Sequence, residues 1–151
     1  MKKKFINYFS KIAEETAQLS SARRLKVGCI IVRDGRILSI GYNGTPAGWD
    51  NNCENEYTTL PENTTKLVTK AEVSHAEENC LMKMATSSES SSGATMFLTH
   101  PPCINCAKLI NLAGIKRVYY NDDYLYTDGL EFLDKCKIPY SKINKKESND
   151  G

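Results

Sequence analysis

The chain has 151 residues, 40% hydrophobic and 25% charged, with a formal net charge of +2. That length suits one domain with a continuous core, and so small a charge, with Lys and Arg scattered rather than striped, argues against a nucleic-acid polymer as partner. The basic start MKKK is followed by no apolar run of signal-peptide or membrane-span length, so no membrane association and a cytoplasmic location are expected. The six cysteines then belong to reducing surroundings, where ligands, nucleophiles and core residues are commoner than disulfides.

Phe5, Phe9, Ile12 and Ala13 recur at helical spacing opposite Lys11, Glu14 and Glu15, which predicts an amphipathic helix over 4–19. VGCIIVR (27–33) and RILSIGY (36–42) are β-branched runs joined by Asp34-Gly35, the turn chemistry of an antiparallel hairpin. From Asn43 to Thr69 the periodicity is lost and Gly, Pro, Asn, Asp and Thr gather, so a long loop is expected. A helix over 75–84 follows, then the serine-rich TSSESSSGA as a solvated connection. Residues 94–99 read as a strand, 103–113 as a helix, 117–121 as a strand and 128–136 as a helix. The last strand, 138–143, is expected at an edge, since Pro139 cannot donate to a ladder. The tail, 144–151, reads as disordered, which leaves a single domain over 1–143. Strands alternating with helices after a hairpin predict an α/β fold, a mixed five-stranded sheet flanked by helices.

Two short motifs carry chemistry. Cys103 and Cys106 in PPCINC lie three apart at the start of a helix, on one face, where the helix N-terminus favours thiolates. One imidazole added to them makes three protein ligands, the number a catalytic zinc uses when a fourth position is kept for water. His75, in VSHAE, is one of only two histidines. Two residues apart on a helix is a rotation of roughly 200°, so His75 and Glu77 cannot ligate one metal side by side. With the metal beyond the helix tip, His75 ligates and Glu77 is left free to move protons. Alone, a C-x-x-C is more often structural zinc or a redox pair, and a structural site would take a fourth ligand from Cys53, Cys80, Cys136 or His100. Together, H-x-E and P-C-x-x-C resemble the signature of zinc nucleobase deaminases.

On these motifs, and on VGCIIVRDGRILSIGYNGTPAGWDNNCE (27–54), GATMFLTHPPCINCAKLI (93–110) and AGIKRVYY (113–120), the chain resembles the cytidine deaminase-like superfamily, and within it the deoxycytidylate (dCMP) deaminases. The resemblance covers about Ser20 to Ile143. It implies a three-layer α/β/α fold, hydrolytic deamination of dCMP to dUMP, Zn²⁺ on His75, Cys103 and Cys106, and Glu77 as the catalytic proton carrier. It further implies substrate contacts from Asn43 to sugar and base, from Arg24 to the 5′-phosphate, and from Ala76 and Tyr124. Each has an ordinary reading beside it: Asn43 as a turn cap, Arg24 as a solvated charge, Tyr124 as core. Family members that are hexamers regulated by dCTP and dTTP imply a homohexamer, effector contacts at Gly41, Tyr42 and Gly44, and Mg²⁺ carried with a regulatory nucleoside triphosphate. The chain departs from that pattern at Glu78, Asn79, Cys80 and Leu81, and at Lys83 and Thr86 near the regulatory site. A second, structural zinc would need partners that Cys53 lacks, so one zinc per subunit is expected. The competing readings are a relative acting on dCTP, cytidine or a tRNA adenosine, and a non-catalytic zinc-stabilised binding protein.

Overall fold

The computed structural model describes residues 1–143; the expected disordered tail, 144–151, lies outside the described residues. The elements, in chain order, are α1 (Lys3–Ala17), β1 (Gly28–Arg33), β2 (Arg36–Tyr42), β3 (Glu54–Thr59), β4 (Thr64–Thr69), α2 (Ala76–Ala85), β5 (Thr95–Leu98), α3 (Ile104–Leu112), β6 (Arg117–Tyr120), α4 (Asp128–Lys135) and β7 (Tyr140–Lys142). Five strands form one mixed sheet in the order β2-β1-β5-β6-β7. β1 runs antiparallel to both β2 and β5, while β5, β6 and β7 are mutually parallel. The expected α/β sheet is therefore present, with β7 at its edge.

β1 explains the layering. Its side chains alternate between faces, as a strand's must, and both faces are covered: Cys29 and Ile31 pack with α2, α3 and α4, whereas Ile30 and Val32 pack with α1. β5 repeats the pattern, sending Met96 and Leu98 one way and Phe97 the other. A strand buried on both sides reads as an unbroken apolar run, and GCIIV is one. The hairpin turn between β1 and β2 places Asp34 and Gly35 in the left-handed region, at φ 53° and 75°, as a type I′ turn requires.

The segment from Asn43 to Thr69 differs from the long loop expected of it. β3 and β4 pair as an antiparallel hairpin of their own, separate from the main sheet. Apart from Glu54, which is buried, and the half-buried Leu67, both strands are exposed. A ribbon wet on both faces needs no alternation of apolar and polar residues, so the signal that marks a half-buried strand is missing from ENEYTT and TTKLVT.

The face opposite α2, α3 and α4 is centred on Phe97, 1% exposed, whose ring lies 5.6 Å from that of Phe9 and stacks on Tyr119 at 5.0 Å. Removing so large a buried ring loses both its transfer free energy and the contacts across the void. Phe97→Ala is expected to lower the unfolding free energy by about 3–5 kcal/mol, read from urea denaturation. A loss under about 1 kcal/mol would contradict this packing of α1 on the sheet.

Candidate metal centre

His75 and Cys103 occupy equivalent positions, each capping the N-terminus of a helix in extended backbone conformation, α2 for His75 and α3 for Cys103. The two caps are made locally. Glu78 Oε1 accepts the His75 N–H at 2.9 Å, and Cys103 Sγ accepts the Cys106 N–H at 3.5 Å. Upstream of α2, Ser74 is bridged to Gly44, with N–H···O distances of 2.9 and 3.1 Å, so the end of β2 fixes where His75 leaves the chain. Both helices pack on the same face of the sheet, and their N-termini meet.

The result is a cluster in which one ligand atom each from His75, Cys103 and Cys106 lie within 4.8 Å of one another. His75 Nδ1 is 3.6 Å from Cys103 Sγ and 3.4 Å from Cys106 Sγ. A tetrahedral zinc with bonds of about 2.3 Å to sulfur and about 2.0 Å to nitrogen sets such atoms about 3.5 Å apart. Donor type and spacing therefore both fit zinc, with three protein ligands. Among the described residues no fourth histidine, cysteine or carboxylate joins the cluster; Cys53, Cys80, Cys136 and His100 stand outside it. An open fourth position is the property of a catalytic rather than a structural site.

The electrostatics follow from crowding. Hydrogen bonds from Cys106 and then His75 hold the Cys103 thiol down to about 4, so its sulfur is a thiolate. The neighbouring Cys103 sulfur and burial push Cys106 the other way. His75, beside the Cys103 thiolate, is raised to about 9. The protons that balance charge on these three groups are those a divalent cation replaces, since ligand thiols and imidazoles must give up protons to bind it.

Glu77 lies in the first turn of α2, 4% exposed, beside these ligands. Burial raises its carboxyl to about 7, partly offset by a hydrogen bond with Cys106. A carboxyl poised there can both take and give a proton near neutral pH.

A cavity of about 120 Å³ opens over this cluster, and it is lined by His75, Ala76, Glu77, Asn43, Arg24 and Tyr124, among others. Every candidate metal, catalytic and substrate residue thus reaches one pocket, apart from Cys106, which sits behind it. Asn43 does so while both ends of its amide hold backbone: Oδ1 accepts the Val27 N–H at 2.9 Å and Nδ2 donates to Leu25 O at 2.8 Å. The Tyr124 ring meets His100 edge-on, centroids 6.1 Å apart, and His100 Nδ1 lies 2.9 Å from Thr99 Oγ1.

The effector candidates lie elsewhere. Gly41 packs against α2 so closely that a Cβ there would be 2.5 Å from Ala76 O and from Cys80 N. Tyr42 carries Lys83 Nζ at 5.9 Å from its ring centre and accepts from Asn79 Nδ2 at 2.7 Å. Glu54, which pattern reading leaves on a loop, lines the pocket as a buried carboxylate. No sequence signal separates a buried acid from the exposed acids around it.

Comparison with known proteins covers most of the chain. Residues 3–122 match the family described as the cytidine and deoxycytidylate deaminase zinc-binding region. The deoxycytidylate deaminase of Mycobacterium phage D29 is 37% identical over 123 residues, covering 75% of this chain and 91% of the phage protein. The ComE operon protein 2 of Bacillus subtilis is 36% identical over 117 residues, or 78% of this chain and only 59% of that relative. Among solved structures, the dCMP deaminase of the cyanophage S-TIM5 in complex with dCMP and dUMP superposes with a TM-score of 0.83. It is 42% identical, over 95% of this chain and 99% of that one. The matched region runs from α1 through β6 and contains both halves of the metal cluster, and the chain belongs to the cytidine and deoxycytidylate deaminase family.

Proposed function

We propose that the protein is a zinc-dependent hydrolase that converts dCMP and water to dUMP and ammonia, so supplying dUMP for thymidylate synthesis. The observation that carries this is the buried Glu77 carboxyl in the same pocket as a three-ligand His-Cys-Cys cluster. Support for the substrate comes from the relatives named deoxycytidylate deaminase and from the cyanophage complex.

His75, Cys103 and Cys106 would hold the zinc, whose Lewis acidity makes water nucleophilic near neutral pH. The chain's own chemistry rests on Glu77. With a pKa raised to about 7, it accepts a proton from water, passes it to the pyrimidine ring nitrogen, and later moves a proton to the departing amine. The backbone N–H of Ala76 belongs to the first turn of α2, which has no intrahelical acceptor, and it suits the ring carbonyl. An amide has two acceptor and two donor positions, so Asn43 keeps one of each for the sugar and base after its backbone bonds. Arg24 takes the 5′-phosphate, for which a guanidinium fork is well shaped, and Tyr124 closes over the nucleotide.

The proposal extends to regulation and assembly. We read Gly41, Tyr42 and Gly44 as the place of a dCTP or dTTP effector, Mg²⁺ accompanying the triphosphate, in a homohexamer. The close packing of Gly41 on α2 gives such a site a direct mechanical route to Glu77. One zinc per subunit, one domain over 1–143 and a cytoplasmic location complete the reading. None of the six cysteines is in a disulfide, which suits a reducing compartment, and among the described residues no helix is long and apolar enough to cross a membrane.

Glu77→Gln is expected to keep one zinc per chain and the folded state while lowering kcat on dCMP by about 10²–10⁴. Undiminished turnover in that variant would remove Glu77 from the chemistry. Dialysis against a chelator is expected to abolish turnover and to lower the thermal midpoint, because a ligand bound only by the folded state stabilises it, by about 4 kcal/mol at a thousandfold excess over Kd. Zinc should restore both; a chain that stays active with its zinc removed, as verified by metal analysis, would contradict the assignment.

A further inference from the structure

Arg24 lies on a segment, residues 20–27, that is neither helix nor strand, yet it faces the pocket. Such a stretch cannot hold a side chain in place by its own hydrogen bonding, so something else must. Ser20 ties its start, donating from Oγ to Asn43 O at 2.8 Å and accepting the Ala22 N–H at 3.1 Å. Asn43 ties its end, through Leu25 and Val27. The middle is held by one atom: Glu54 Oε1 accepts the N–H groups of both Arg23, at 2.8 Å, and Arg24, at 3.1 Å.

Glu54 is an unusual residue to find there. It is 2% exposed, and its second oxygen, Oε2, has Arg23 Nε at 3.6 Å and no hydrogen-bond partner. Burying a carboxylate is costly unless it is fully paired and hydrogen-bonded, and replacing such groups by apolar ones is often neutral or stabilising. A general gain in fold stability is therefore little reason for a carboxylate to stand there. Its local effect is a better one. One oxygen binding two successive N–H groups fixes the peptide planes on both sides of Arg23, and with them the direction in which the Arg24 side chain leaves the backbone. Its negative charge faces those two donors and Arg23, whose guanidinium also pairs with Glu56 on the same hairpin.

We propose that Glu54 is a positioning residue, which holds the Arg23–Arg24 backbone so that the Arg24 guanidinium is presented to the 5′-phosphate of the substrate. This rests on the reading of Arg24 as the phosphate contact given above. The hairpin β3–β4 thereby acquires a role at the site, since its first residue is the clamp. A guanidinium held ready gives up less side-chain freedom when the phosphate arrives. Because the phosphate is not the reacting centre, the benefit falls on binding and appears in KM.

The test compares dCMP with deoxycytidine, which lacks the phosphate, on zinc-loaded wild type and on Glu54→Ala and Glu54→Gln. Glu54→Ala should raise KM for dCMP by about tenfold or more with kcat within about twofold, and leave kcat/KM for deoxycytidine unchanged. The preference for dCMP then falls by the same factor, and Glu54→Gln, which keeps an acceptor oxygen, should recover most of it. Should Glu54→Ala not fold, Glu54→Asp, whose carboxylate is one methylene too short for both N–H groups, is expected to lose the preference in its place. Equal losses on both substrates, or an unchanged preference in a folded variant, would overturn the assignment while leaving Arg24 untouched. Wild type that turns over the two substrates equally would remove the phosphate reading of Arg24 and the assignment with it.

Discussion

A three-ligand metal site must bring donors from distant parts of a chain to within bonding distance of one point, and this fold does so by aiming two helix N-termini at each other. His75 caps α2 and Cys103 caps α3, with Cys106 one turn further on. Cap positions are outside the helical hydrogen-bond ladder, so a residue there projects past the helix end instead of sideways from it. That resolves the spacing of His75 and Glu77. The histidine reaches forward to the two cysteine sulfurs, and the glutamate, already inside the first turn, faces the pocket from beside it. Everything else in the arrangement serves to hold α2 and α3 in that relation: the doubly buried β1 and β5 beneath them, the Gly44–Ser74 bridge before α2, and the close fit of Gly41 under it.

The same convergence sets the chemistry. Both helix dipoles present their positive ends to the cluster, which favours thiolate and carboxylate charge there. Burial opposes that charge, and at Glu77 it is the main cause of a carboxyl raised to about 7. The two effects divide the labour: the Cys103 sulfur, more exposed than Cys106, is held as an anion that can bind a cation, while Glu77 is held at the point of exchanging protons. A neutral, apolar substitute at 77 would leave the cluster without this titratable carboxyl.

How much of this was legible in the sequence depended on whether the physics is local. Asp34-Gly35 announces a hairpin because only certain residues accept positive φ, and the β-branched run VGCIIVR announces a strand, although its burial on both faces emerges only from the packing. The motifs around His75 and Cys103 were legible for a similar reason: helix-cap geometry makes the spacing of ligands nearly independent of the rest of the chain. The β3–β4 hairpin was not legible, since a ribbon solvated on both faces carries no apolar period. Glu54 was invisible for the opposite reason. Its burial is produced by packing against Arg23 and Arg24, about thirty positions earlier, and nothing in ENEYTT distinguishes it from its exposed neighbour Glu56. Asn43 was named from the sequence and does line the pocket, but the way its amide holds the backbone at Leu25 and Val27 appears only in three dimensions.

The account stands most directly on the reaction itself. Zinc-loaded protein incubated with dCMP should release dUMP and ammonia in equal amounts, followed together by the ultraviolet change of the pyrimidine and by an ammonia assay, with metal analysis giving one zinc per chain. Protein that holds its zinc and its fold but forms neither product would contradict the reading of this site as a dCMP deaminase.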